Sequence, residues 1–198
     1  MTLQESNTVK TEETAPDGAD PRRGTGHIPG VDAVDRERFT LVHDSHGLTM
    51  ATWKNVALHV WTAQATPAVV DTLDRLSEAF VGGHPEGVSA VHILVNGIPL
   101  PDADVRERLR QVTSRYAEHL GCVCHVVEGS GFWASALHSF LTGLHLLARG
   151  PFRLHICSDI AAAARWVPGP HMRRTNVSIV SAELEEALTE LRHTAKKT

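Results

Sequence analysis

The sequence is short of the features that bring a protein to a membrane or to nucleic acid. Its apolar runs all fall far short of the roughly 20 residues that a transmembrane helix needs. Its first residues show no basic segment followed by an apolar one, which is the pattern of a secretory signal. The formal net charge is −4 and the isoelectric point is near 6.3, values that argue against binding to nucleic acid or to an anionic lipid surface. We therefore expect no membrane span and no nucleic-acid partner.

Cysteine is scarce, with three residues in the chain, Cys122, Cys124 and Cys157. The first two are separated by one residue within a predicted strand, so their side chains point the same way. This arrangement suits no ordinary disulfide framework. Because free thiols persist in a reducing compartment, we predict a cytoplasmic protein.

Signatures of catalysis and of metal binding are also missing. The run EGSGF at 128–132 is not the Gly-x-Ser-x-Gly elbow of a serine hydrolase. The glycines around Ser130 could present backbone N–H groups to an anion, but no lysine follows at the spacing of a phosphate loop. No carboxylate stands beside the strand histidines to orient a metal-bound imidazole. We predict no enzymatic activity, no cofactor and no metal site.

What the sequence does contain is a repeat built on histidine. Four apolar runs each hold one histidine near their centre, at positions 59, 92, 125 and 155, so that successive intervals are 33, 33 and 30 residues. A period of this size indicates one supersecondary unit used several times. Each run is followed by apolar residues at three- and four-residue steps, so the unit is predicted to be a strand and then a helix.

The order of these units predicts the domain organisation. Residues 1–36 are polar and lack apolar periodicity, and we expect a flexible tail. Two short strands around the turn DSHG at 44–47 predict a hairpin. Three strand–helix units and a shorter fourth complete a domain over 37–168, which Pro168-Gly169-Pro170 is expected to end. Residues 169–198 are predicted to be a linker and an amphipathic helix. The predicted helix caps are Thr66, Ser130 and Ser158.

Alternation along the strands predicts that the sheet has two unlike faces. Strands joined through a helix should be parallel. One face collects only apolar residues, and the other collects the four histidines together with Trp61. Helices on both faces would make both sets apolar, so we predict helices mainly on one face. The histidine face is then the less covered one, and its residues are candidates for pH sensing or for an interface: His59, Trp61, His92, His125 and His155.

A hairpin followed by repeated strand–helix units with one-sided helices resembles the STAS fold, named after sulfate transporters and anti-sigma-factor antagonists. The run EGSGFWA at 128–134, LTGL at 141–144 and Arg165-Trp166 are also similar to uncharacterised bacterial STAS-like proteins. The resemblance covers roughly 38–168 and implies a regulatory domain. It departs from the phosphorylated antagonists, which carry an Asp-Ser pair where this chain has NGIPLPD at 96–102. Ser130 lies one unit later.

The resemblance and the missing catalytic signatures together predict a non-enzymatic regulatory or scaffold module. It would act through contacts with a protein partner or with itself, using the histidine face or the outer side of the helix after Pro101. The alternative is a small-ligand domain that binds a lipid or nucleotide where parallel strands end. Four residues would serve it there, Asn96, Glu128, Ser130 and Ser158. A hydrolase or transferase is a more distant alternative.

In the helix predicted after Ser130, the side chains of Phe132, Trp133 and Leu147 are expected to pack inward.

Overall fold

A computed structural model describes residues 39–195 of the chain. Within this range six strands form one sheet: β1 (Thr40–Ser45), β2 (Leu48–Trp53), β3 (Val56–Trp61), β4 (Val88–Leu94), β5 (Leu120–Val127) and β6 (Arg153–Cys157). The same range contains six α-helices: α1 (Pro67–Gly82), α2 (Ala103–Tyr116), α3 (Gly131–Ala148), α4 (Ile160–Trp166), α5 (Pro168–Thr175) and α6 (Ser181–Thr194). The fold is therefore α/β. The predicted tail, residues 1–36, lies outside the described residues.

The strands follow one another across the sheet in chain order, β1 to β6. The pairs β1–β2 and β2–β3 are antiparallel, and the three remaining pairs are parallel. Gly47 closes the first hairpin at a φ of 96°, a backbone conformation that favours glycine. The expected hairpin and the expected parallel pairing of the strands joined through helices are thus confirmed.

Helices cover both faces of the sheet, so the prediction of one-sided helices is wrong. Leu73 of α1 and Leu137 and Leu141 of α3 pack on the face that carries the histidines. The apolar face is covered by helices that follow the last strand, through Ala163 and Ala164 of α4 and Leu188 of α6. Because each crossover links neighbouring strands, α1 to α3 fall on one side. The C-terminal helices then take the other side.

β6 turns the opposite face to the histidine side from the one expected, so His155 does not lie on the histidine face. Cys124 pairs with His155, and Val123 pairs with Leu154. A shift of one residue reverses both faces of a strand. Leu154 and Ile156 therefore face α3, whereas His155 stacks on Trp166 of α4, with ring centroids 4.7 Å apart. Alternation on this edge strand could not settle which face it buries, because both of its faces are only half covered.

The chain after Pro168 belongs to the same packed unit. Pro168-Gly169-Pro170 opens α5 instead of ending the fold, because proline is well tolerated in the first turn of a helix. The α6 residues Leu184, Leu188 and Leu191 are completely buried against the apolar face. Residues 169–195 are therefore not a linker with an appended helix.

Candidate interaction surface

Three histidines form a stacked row beneath α1 to α3. The parallel register aligns His59 with His92 and His92 with His125. The ring centroids lie 4.4 Å apart in the first pair and 4.9 Å apart in the second, with interplanar angles of 14° and 25°. The indole Nε1 of Trp61 donates to Nδ1 of His92 at 3.2 Å. His92 therefore carries its proton on Nε2 when neutral.

Burial keeps this row uncharged. It lowers the pKa of His92 to about 4. Burial and the neighbouring His92 hold the pKa of His59 well below its usual value, and the Val91 backbone opposes this shift only in part. For His125 the causes of the lowered pKa are burial first and then His92, His145 and His138. Neither ring nitrogen of His59 makes a well-formed hydrogen bond. A buried nitrogen without a hydrogen bond destabilises the fold even when the ring is neutral, and charging the ring would cost much more.

The row is therefore internal and does not provide the interface that the sequence suggested. His59 is 2% exposed, Trp61 6% and His125 8%, all beneath the crossover helices. His155 is on the opposite face. Within residues 39–195, no group of three or more histidine, cysteine or carboxylate side chains is arranged to hold a metal ion.

At the carboxyl ends of the strands, a carboxylate expected to face a ligand is already paired. Both oxygens of Glu128 accept from the Arg192 guanidinium of α6, at 2.7 and 2.9 Å. Asn96 lies against the loop that follows Glu128. A Cβ added at Gly129 would come within 2.3 Å of the Asn96 Oδ1 atom. The structure thus brings Asn96 and the 128–129 loop together. The Glu128 carboxylate there is already neutralised by Arg192 of α6.

The two serines at this edge do not have the predicted capping roles. Ser130 occupies the N-cap position of α3, but its side chain makes no cap hydrogen bond. Asp159 caps α4 in place of Ser158, since its Oδ1 accepts from the Ala162 N–H at 2.7 Å. Ser158 donates to the other oxygen of Asp159 at 3.2 Å. Both serines are exposed.

Two pairs of polar or thiol side chains lie on the apolar face, and neither forms a reactive site. Ser89 Oγ lies 2.8 Å from Nδ1 of His171, a nucleophile–base pair in form, but both residues are fully buried and no substrate could reach them. The Sγ atoms of Cys124 and Cys157 are 3.9 Å apart, well beyond a disulfide bond of about 2.05 Å. The register separates these cysteines by two positions, because Cys157 pairs with Val126.

Helix α3 differs from the other crossover helices because none of its 18 residues is acidic or basic apart from two histidines. Leu137, Leu141 and Ala148 are buried, and Trp133 anchors the helix by donating from Nε1 to the Ile98 carbonyl at 2.7 Å. Phe132 and Leu147, which were expected to point inward, do not. Phe132 is 91% exposed and Leu147 is 61% exposed.

The outer side of α3 forms an uncharged stripe, called the α3 stripe and defined as Phe132, Ser135, Ser139, Thr142 and Leu146. At 100° per residue these positions fall within about 80° of the helix circumference. Leu146 is 70% exposed. The three hydroxyls donate to carbonyls one turn back, at 2.9 to 3.1 Å, so the stripe presents few free donors. Phe132 and Leu146 place a large exposed apolar side chain near each end of an uncharged helix face, which makes this face a candidate contact surface. The signal for this surface in the sequence is an 18-residue helix without lysine, arginine or acidic residues.

Two other outer surfaces have a different character. The outer side of α2, the helix after Pro101, carries exposed ion pairs, from Arg108 to Asp71 at 2.7 Å and from Arg110 to Glu107 at 2.6 Å. An open depression of about 510 Å³ on α6 is lined by residues of that single helix, Glu185, Glu186, Thr189, Glu190, His193 and Thr194. It is open charged surface, unlike the concave and mostly apolar sites of small ligands.

Comparisons with protein-family models, with curated proteins and with solved structures find no match to this chain. The STAS-like resemblance therefore stays a prediction. In the described part of the chain, none of the helices combines the length and the apolar character needed to cross a bilayer.

Proposed function

We propose that this protein is a non-enzymatic module that works by binding another polypeptide through the α3 stripe. The observation that carries the proposal is the near-complete exposure of Phe132, on a helix without formal charge. Aromatic and large aliphatic side chains supply most of the energy in protein interfaces, and charged residues are depleted at their centres. The stripe has both properties.

The expectation of small-ligand binding at the strand ends receives less support. Its carboxylate, Glu128, is held by Arg192, whose side chain is only 12% exposed. A ligand would have to displace a two-bond ion pair, and such pairs are among the stronger hydrogen-bonded contacts. Likewise, burial of Ser89 and His171 weighs against a hydrolase that would use them.

A regulatory or scaffold role in the cytoplasm remains part of this proposal. All three cysteines are free thiols, and free thiols are typical of reducing compartments. A STAS-like function by protein contact agrees with the proposed use of α3. Control by phosphorylation of Ser130 has no support beyond the exposure of that residue.

Site-specific photocrosslinking in the native cells tests the proposal. The photoreactive residue p-benzoylphenylalanine replaces Phe132 in one variant and Leu146 in a second. In a control it replaces Thr189, which is exposed on α6. We expect a discrete adduct from both α3 positions and none from the α6 position. If the α3 positions give no adduct, or all three give the same smear, the stripe is not a binding surface.

A further inference from the structure

Building on the proposed function, we propose that the polypeptide bound by the α3 stripe is a second copy of this chain, packed antiparallel about a two-fold axis at Ser139. In a two-fold interface the same patch contacts itself, so it must be complementary to its own reverse. The α3 stripe satisfies this condition in side-chain size and in charge.

The size argument follows from the positions of the large residues. Phe132 and Leu146 each lie seven residues from Ser139, or about 10 Å along the helix axis at 1.5 Å per residue. Reversing the helix about Ser139 places Phe132 of each copy beside Leu146 of the other. The central positions are small: Ser135 would face Gly143 and Ala136 would face Thr142. A Cβ added at Gly143 would meet nothing within 4 Å, so this position opens to the outside.

The charge argument concerns self-association in particular. A charged patch laid on its own copy opposes like charges, which costs free energy, whereas an uncharged one carries no such penalty. The chain has a formal net charge of −4, and the outer sides of α2 and α6 both carry glutamates. On the α3 stripe, two copies can approach each other without bringing these glutamates together.

The expected strength follows from the extent of the stripe. A standard interface uses about 20 to 30 residues on each side and about 800 Å² per partner. One helix contributes fewer residues than that, so we expect a reversible dimer in the micromolar range. Its mass should therefore depend on protein concentration.

Analytical ultracentrifugation of the full chain between about 5 and 500 μM tests the two-fold geometry. The wild type is compared with variants at Ser139. We expect the average mass of the wild type to rise from 21.6 kDa toward twice that value. Ser139→Arg and Ser139→Glu each place like charges across the axis, and each should stay monomeric. An equimolar mixture of the two variants should recover the dimer, because opposite charges then meet.

The matched control is Thr189→Arg on α6. Its exposed hydroxyl also donates one turn back, to the Glu185 carbonyl at 2.7 Å, and the change should leave association as in the wild type. A wild type that stays monomeric, a Ser139→Arg variant that still associates, or a mixture that does not recover would each overturn the two-fold model. The photocrosslinking experiment distinguishes failure of the two-fold dimer model from failure of the proposed binding function. An adduct of another protein at Phe132 retains the binding surface and rejects the second copy, whereas no adduct rejects both.

Discussion

At the scale of single residues, the three stacked imidazoles show how a core can hold histidine. Each is stable in the fold only when neutral, since charging it would bring desolvation and repulsion from the next ring. The unfolded chain has no such restriction and takes up protons near pH 6.5. The contribution of these lowered pKa values to the free energy of unfolding is fully present above pH 6.5. It falls as the pH drops toward about 4, the folded value of His92.

Replacing His59 with leucine should therefore weaken the acid sensitivity of the fold. The variant loses one group that binds a proton only in the unfolded state. The slope of unfolding free energy between pH 5 and 6 should fall by about 1.2 kcal/mol per pH unit, because the unfolded imidazole binds about 0.9 proton over this range. At pH 7.5 the removal of two unpartnered buried nitrogens should offset the lost ring stacking to within about 1 kcal/mol.

Urea denaturation at pH 7.5, 6 and 5 measures both effects. The control is His46→Gln, because His46 is exposed in the first hairpin turn and should leave the slope unchanged. A His59→Leu slope equal to that of the wild type would mean that His59 titrates normally in the folded protein.

At the scale of elements, local chemistry predicted some helix starts and not others. Thr66 caps α1 as expected, accepting from the Val69 N–H at 3.4 Å, and Pro67 follows it. The serines before α3 and α4 satisfy the same rule, but Ser130 makes no cap bond and Asp159 displaces Ser158. A rule based on residue type cannot choose between two adjacent capping residues, because the choice depends on the backbone of the loop.

The caps can be ranked by substitution. Asp159→Ala should cost about 1 kcal/mol of unfolding free energy through loss of the bond to Ala162, whereas Asp159→Asn keeps an accepting oxygen and should cost less. Ser130→Ala should change stability by less than about 0.5 kcal/mol, as expected for an exposed residue without such a role. Chemical denaturation of the three variants at pH 7.5 measures the loss of unfolding free energy in each. A larger loss for Ser130→Ala than for Asp159→Ala would reverse the assignment of caps.

At the scale of the whole molecule, the repeat predicted the sheet but not which helices pack on each of its faces. The repeat around His59, His92 and His125 predicted parallel strands that carry these three imidazoles on one face. The register that aligns the three rings was not predicted and comes from the structure. His155 broke the pattern because alternation does not fix the register of an edge strand. The apolar face was complete in the sequence, yet the helices that cover it come from the end of the chain. Apolar alternation shows that a face is buried without showing what buries it.

The integration of α6 into this fold yields the last prediction. Leu188 is fully buried against the apolar face, and Arg192 of the same helix pairs with Glu128, which directly follows β5. Leu188→Ala should cost about 2 to 5 kcal/mol of unfolding free energy by opening a cavity, whereas Glu186→Ala on the exposed side should cost less than about 0.5 kcal/mol. A chain ended after Val180 loses every α6 contact, and we expect it to lose its near-ultraviolet circular dichroism and its protection from trypsin. If that shortened chain keeps both, α6 is an appendage and the fold is complete without it.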